Sequence, residues 1–241
     1  MESQSFMYDA RDHSQPTKIF VGEWATRVGS PTPNMAGALG DAAWMCFLER
    51  NADIVMMHCY APLFVNVSQL TGQGKSMQWS SDLIGYDALT SYGSPSYYAQ
   101  VMFSSQHGDE VLATDSENIP MVTWQPPARR RNGVEQPRPP AQQIRKLFFD
   151  ATRDSQTGTI YLKVVNSLPM PQPVTVEISG ATSVAAKGSA IVLKADKLDD
   201  TNSLLEPTKI VPVTEKVKGL GTNFTRTFPP YSITILALKT K

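Results

Sequence analysis

The sequence predicts an α/β segment over residues 1–110 followed by an all-β half, a β-sandwich, over residues 111–241. Two observations carry this. In the first part apolar residues fall in short continuous runs or at helical spacing, whereas from about residue 111 they alternate with polar neighbours. Residues 125–140 collect Pro126, Pro127, Pro137, Pro139 and Pro140 with Arg129, Arg130, Arg131 and Arg138, a composition that cannot pair as a central strand and reads as a long exposed loop.

Element by element, residues 18–22 (Lys18, Ile19, Phe20, Val21, Gly22) form a short β-prone run. Thr32, Pro33 and Asn34 then offer a cap and an early proline for a helix over 34–51. Met35, Leu39, Ala42, Ala43, Cys46 and Phe47 recur at helical spacing as one apolar stripe, with Asp41 and Glu49 off it and Asn51 at its end. Residues 53–60 are nearly continuously apolar up to His58, as in a strand buried on both faces of a parallel sheet. Ser94 and Pro95 start a second helix with Tyr97, Tyr98, Val101 and Met102 as its apolar face and Gly108 as its C-cap. Beyond it, Ile160, Leu162 and Val164, then Val174, Val176 and Ile178, then Ile233 and Ile235 alternate with polar residues and are expected to face one interior. Turn signals at Gly158 and Gly180 separate them.

Composition removes several function classes. The 22 basic and 22 acidic side chains of the 241 residues balance, and no apolar run reaches the roughly 18 residues that span a bilayer, so nucleic acid and membrane are disfavoured as partners. The first residues lack the basic and apolar regions of a secretory leader, which leaves a cytoplasmic and a secreted location equally open. Cys46 and Cys59 read as buried thiols in a helix and a strand, and the scattered His13, His58 and His107 give no metal site. Neither a nucleophile elbow nor a glycine-rich phosphate loop is present.

What remains is carboxylates and aromatics at strand ends, where α/β folds gather chemistry. Glu23 ends the first strand beside Trp24. A carboxylate next to an indole in a partly dry mouth suits a glycosidase, since the anion stabilises or attacks an oxocarbenium-like centre while the aromatic wall packs on the sugar. A Glu at a strand end is, however, more often a surface residue or an ion-pair partner. After the second strand come Tyr60, Asn66, Trp79 and Asp82, readable as a sugar-contacting rim or as ordinary packing.

These residues also occur in a familiar order. Lys18 to Ala25 (KIFVGEWA), Leu39 to Ala43 (LGDAA), Leu48 to Asp53 (LERNAD) and Tyr60 to Asn66 (YAPLFVN) resemble the C-terminal half of α-L-arabinofuranosidases of glycoside hydrolase family 51. Gly93 to Tyr98, Met102 to Ser105, Asn202 with Ser203, Pro207 to Pro212 and Pro229 to Thr234 continue the resemblance over nearly the whole chain. It implies the last two βα units of a (β/α)8 barrel, strands seven and eight, followed by the C-terminal sandwich. It also implies Glu23 as catalytic nucleophile with no cofactor, and Trp24, Tyr60, Trp79 and Asp82 are the candidate substrate-binding residues around it. The family's acid/base glutamate lies in an Asn-Glu motif, and no such dipeptide occurs in this chain. The chain is therefore expected to be an incomplete piece of a retaining glycosidase, inactive alone, whose partners are an arabinose-containing glycan and the N-terminal half of the barrel. A homo-oligomer is left open. Trp79, Ser80, Ser81 and Asp82 depart from the family's frequent Trp-Asn-Pro-Asp. The competing expectation is a non-catalytic carbohydrate-binding or assembly protein built on the sandwich, whose β half carries only Trp124 as a candidate platform.

Overall fold

The computed structural model describes residues 8, 11–14, 16–68, 79, 81–128, 130–131 and 134–240. Strand β1 (Ile19–Trp24) pairs in parallel with β2 (Val55–Tyr60), with Ile19 opposite Val55 and Trp24 opposite Tyr60. Helix α1 (Met35–Arg50) is the crossover, as expected for a parallel pair. Asn34 caps it by accepting from the Gly37 N–H at 3.1 Å, and Asn51 is the C-cap. Three short strands follow, β3 (Phe64–Asn66), β4 (Ile84–Tyr86) and β5 (Ser91–Gly93), joined in one small sheet. Helix α2 (Pro95–Ser105) then starts where Ser94 accepts from the Tyr97 N–H at 3.1 Å, with Pro95 in a first-turn position that needs no donor.

Several local expectations change. Glu23 and Trp24 belong to β1 rather than following it. Helix α1 is buried almost all round, Asp41 included, because it lies between two layers. Trp44, Phe47 and Leu48 pack with Ile19 and Val21 of β1, while Met35, Leu39, Ala42, Met45 and Cys46 belong to a second core. Strand β2 is not buried on both faces: Met56, Met57, His58 and Cys59 are exposed, so Cys59 is no core thiol. Its only strand neighbour among the described residues is β1. On α2 the buried residues are Pro95, Ser96, Ala99, Met102 and Phe103, with Val101 exposed and Tyr97 and Tyr98 half-buried. Gln106, not Gly108, caps it. Gly108 is needed instead for close approach, since a Cβ there would lie 2.0 Å from the Arg153 backbone.

The second half is built on β6 (Glu110–Val111), β7 (Met121–Trp124), β8 (Arg130–Arg131), β9 (Val134–Glu135), β10 (Gln142–Arg145), β11 (Leu147–Arg153), β12 (Thr159–Asn166), β13 (Gln172–Glu177), β14 (Lys187–Lys194), β15 (Val213–Lys218), β16 (Asn223–Phe228) and β17 (Ser232–Lys239). Six of these form an antiparallel sheet in the order β15-β14-β17-β12-β11-β6. The opposing layer is the antiparallel pair β13 and β16, whose Val174, Val176, Phe224 and Phe228, with Ile178 just beyond, pack on Leu147, Ile160, Val164, Leu236 and Leu238. Of residues 125–140, those whose burial is described are mostly exposed, and the segment contains the short pair β8 and β9.

Ile233 and Ile235 are not in the interior that holds Val174 and Val176. They lie on the other face of β17 with Val165 and Leu193, against Met35, Leu39, Ala42, Met102 and Phe103 of the two helices. A central strand covered on both sides buries both sets of its alternating residues, and each large side chain so covered contributes about 1.5–3 kcal/mol. Lys163 sits fully buried on β12 in the same helix-facing layer. It pairs with Glu49 of α1 and lies 5.4 Å from the Phe103 ring centroid. Burial, and next the neighbouring Glu49, push the carboxyl of Asp150, which stands opposite Lys163 across the strand pair, upward.

Candidate functional site

At the C-terminal ends of β1 and β2 the chain places Glu23, Trp24, His58 and Tyr60 together. Glu23 is exposed at the penultimate position of β1. Trp24 is half-buried, edge-on to Tyr60 at 5.3 Å between centroids and 5.6 Å from His58. Its indole N–H donates to His58 Nδ1 at 3.1 Å, which requires an unprotonated Nδ1. Burial lowers the His58 pKa and favours that neutral ring. The backbone reinforces the contact, with the Ala61 N–H donating to the Trp24 carbonyl at 3.1 Å.

The loop leaving β1 lies directly on α1. A Cβ at Gly40 would meet Thr26 Oγ1 at 2.8 Å, and one at Gly37 would meet the Val28 carbonyl oxygen at 2.9 Å, so this approach depends on both glycines. Asp41, one residue further, accepts the Thr26 N–H at 2.8 Å. Burial raises the Asp41 carboxyl to about 6 against the pull of Ser96, Thr26 and Tyr60, whose hydroxyls face it. The loop leaving the small sheet closes on the same segment: the N–H groups of Ser81 and Asp82 donate to the Pro31 carbonyl at 3.1 and 2.9 Å.

The expected site residues therefore separate into two layers. Glu23 and Trp79 are exposed, the latter at 56%. Trp24 and Tyr60 stand beside each other as a half-buried wall. The Tyr60 hydroxyl, however, is buried towards Asp41, and burial pushes its pKa far up. Asp82 is also buried, with its carboxyl raised by burial and its backbone tied to Pro31. Sequence reasoning missed His58 and Asp41. The signal for Asp41 was the pair of glycines just before it, which marks a helix face too close to a neighbouring backbone for side chains.

A cavity of about 220 Å³ is bordered by Glu49, His58, Phe103 and His107, among others, between β2 and the helices. Among the described residues no group of three or more His, Cys, Asp or Glu side chains is placed to hold a metal ion, and no helix is long and apolar enough to cross a membrane.

Residues 15–232 match the family described as the α-L-arabinofuranosidase C-terminal domain. The chain belongs to that family. Over 238 residues it is 29% identical to the probable α-L-arabinofuranosidase A of Aspergillus flavus, covering 97% of this chain and 31% of that protein. It is 28% identical over 232 residues to α-L-arabinofuranosidase 1 of Arabidopsis thaliana, covering 95% and 30% respectively. The chain thus spans about a third of the length of these relatives, and it corresponds to the C-terminal part of family 51 enzymes. Among solved structures, the arabinose-bound MgGH51 α-L-arabinofuranosidase matches with a TM-score of 0.78 at 28% identity, over 99% of this chain and 35% of that one. The arabinose complex of the Thermotoga maritima α-L-arabinofuranosidase shares the fold with a TM-score of 0.73 at 16% identity, over 99% of this chain and 47% of that one.

Proposed function

We propose that this arabinofuranosidase C-terminal domain carries half of the active site of a retaining glycosidase that releases terminal α-L-arabinofuranosyl groups from arabinose-containing glycans. The observation that carries the reading is Glu23, exposed at the C-terminal end of a strand parallel to β2 and followed by Trp24, which lies edge-on to Tyr60, in a chain of this family. In this reading β1 and β2 are strands seven and eight of a (β/α)8 barrel, residues 1–110 are the barrel portion and residues 111–241 the sandwich.

Retaining hydrolysis needs two carboxyl groups about 5–5.5 Å apart. The Glu23 carboxylate attacks the anomeric carbon and forms a glycosyl ester, while a carboxylic acid protonates the departing glycosidic oxygen. That second group then takes a proton from water, which cleaves the ester and regenerates Glu23. Trp24 and Trp79 line the sugar's approach, and Tyr60 and Asp82 support that wall from beneath. The acid/base glutamate and most leaving-group contacts come from the rest of the barrel, which is the partner this domain requires.

The test is an assay of residues 1–241 on 4-nitrophenyl α-L-arabinofuranoside, alone and as part of the full-length enzyme. The isolated chain is expected to be inactive, and Glu23→Ala in the full-length enzyme to abolish turnover, with external azide restoring part of it as arabinosyl azide. Normal turnover by the isolated chain, or near-normal turnover by Glu23→Ala without azide, contradicts the reading.

A further inference from the structure

We infer that Asp41 is a positioning residue that holds the two strand ends of the site in register with Glu23. The inference rests on the reading of Glu23 as nucleophile and extends it to a residue that never meets substrate. Asp41 is fully buried on α1. Its Oδ1 accepts the N–H of Thr26, three residues beyond Glu23, at 2.8 Å. Its Oδ2 is buried and has no hydrogen-bond partner among the described residues, yet the buried hydroxyls of Tyr60 and Ser96 face the same carboxyl and stand equally unpartnered. Tyr60 is the last residue of β2 and pairs with Trp24 across the strand ends, while Ser96 opens α2. One carboxyl therefore meets the loop that follows the nucleophile, the end of the neighbouring strand and the first turn of the next helix.

A purely structural anchor for the Thr26 N–H does not need a carboxylate, because an Asn oxygen makes the same bond without burying an ionisable group. A second oxygen that only accepts is what the two remaining hydroxyl donors call for. The carboxyl and these two hydroxyls face one another, and a network closed among them ties the end of β2 to the loop that follows Glu23. Glu23 itself is exposed at a strand end, so its aim depends on how the loop after it is held.

The test uses the full-length arabinofuranosidase with Asp41→Asn, Tyr60→Phe, the double variant and Glu23→Ala. Asp41→Asn keeps the bond to Thr26 and is expected to melt at or above the wild-type temperature. Its kcat is nonetheless expected to fall by about tenfold to a hundredfold, the scale of small misplacements at a reacting centre, while KM moves little. Tyr60→Phe should lower kcat similarly, and the double variant should lose no more than the worse single change, since both break one network. Wild-type kcat in Asp41→Asn overturns the inference, as does a fall in melting temperature with kcat unchanged, or losses that multiply in the double variant. If Asp41→Asn fails to fold, Tyr60→Phe decides: wild-type kcat there overturns the inference. Near-normal turnover by Glu23→Ala would sink the nucleophile reading itself, a result distinguishable from failure of the Asp41 inference alone.

Discussion

In the six-stranded sheet β17 is hydrogen-bonded on both sides by β14 and β12 and covered on both faces, by the β13 and β16 pair and by the helices. By contrast, β1 and β2 pair only with each other among the described residues, and they leave Phe20, Met56 and Met57 at 57%, 58% and 60% exposure. Both regions are rich in apolar residues, so the difference is one of partners and not of composition. The sheet's burial is completed within this chain. Among the described residues the strand pair is covered on one side by α1 and keeps two unpaired edges and an open apolar face, the features that proteins otherwise blunt or hide. In the proposed reading that open side is where the rest of the barrel docks, and it is also where Glu23 is.

The largest expected effects lie at the seam between the two regions and in the covered interior. Lys163→Met removes the only described cation paired with Glu49 in a buried layer, and it should destabilise residues 1–241 by about 3–5 kcal/mol in urea denaturation. A loss below 1 kcal/mol would mean that the helices are held to the sheet by apolar packing alone. Phe228→Ala, in the covered interior, should cost about 3–5 kcal/mol, whereas Phe20→Ser on the open face should change the isolated chain by no more than about 0.5 kcal/mol. Equal costs at these two phenylalanines would erase the contrast.

A smaller effect concerns pH. Asp41 has a folded value of about 6 against an ordinary 3.8, so between these the folded chain holds a proton that the unfolded chain has released. Its contribution to stability therefore falls as pH rises from about 4 to about 6, by about 3 kcal/mol at ~1.4 kcal/mol per unit, and stays low above that window. Asp41→Asn should flatten this slope, which denaturation midpoints measured from pH 4 to 7 will show.

Local rules were legible where a few neighbouring residues decide the outcome. Asn34 and Ser94 as helix caps, Asn51 as a helix end and Glu23 at the end of a strand all follow from chemistry within a turn or two. What stayed hidden depends on which layers meet. A helical stripe identifies a buried face but not a second one, and α1 is buried on both, which is why Asp41 lies off the stripe and is nonetheless buried. Alternation in β17 says that Ile233 and Ile235 share a face, but not whether that face meets strands or helices. The continuous apolar run of β2 resembles a strand enclosed by neighbours, although no third strand flanks it among the described residues. The buried hydroxyl of Tyr60 was equally out of reach, since it depends on Asp41 and Ser96, which belong to two different helices.

The most direct test of the central claim is to find where a sugar becomes covalently attached. The full-length enzyme is incubated with a slowly hydrolysed arabinofuranosyl substrate carrying a good leaving group, quenched in acid, digested and read by tandem mass spectrometry. The account predicts one arabinosyl ester, on Glu23, that is absent from the Glu23→Gln variant. An ester on any other carboxylate, with Glu23 unmodified, would contradict it.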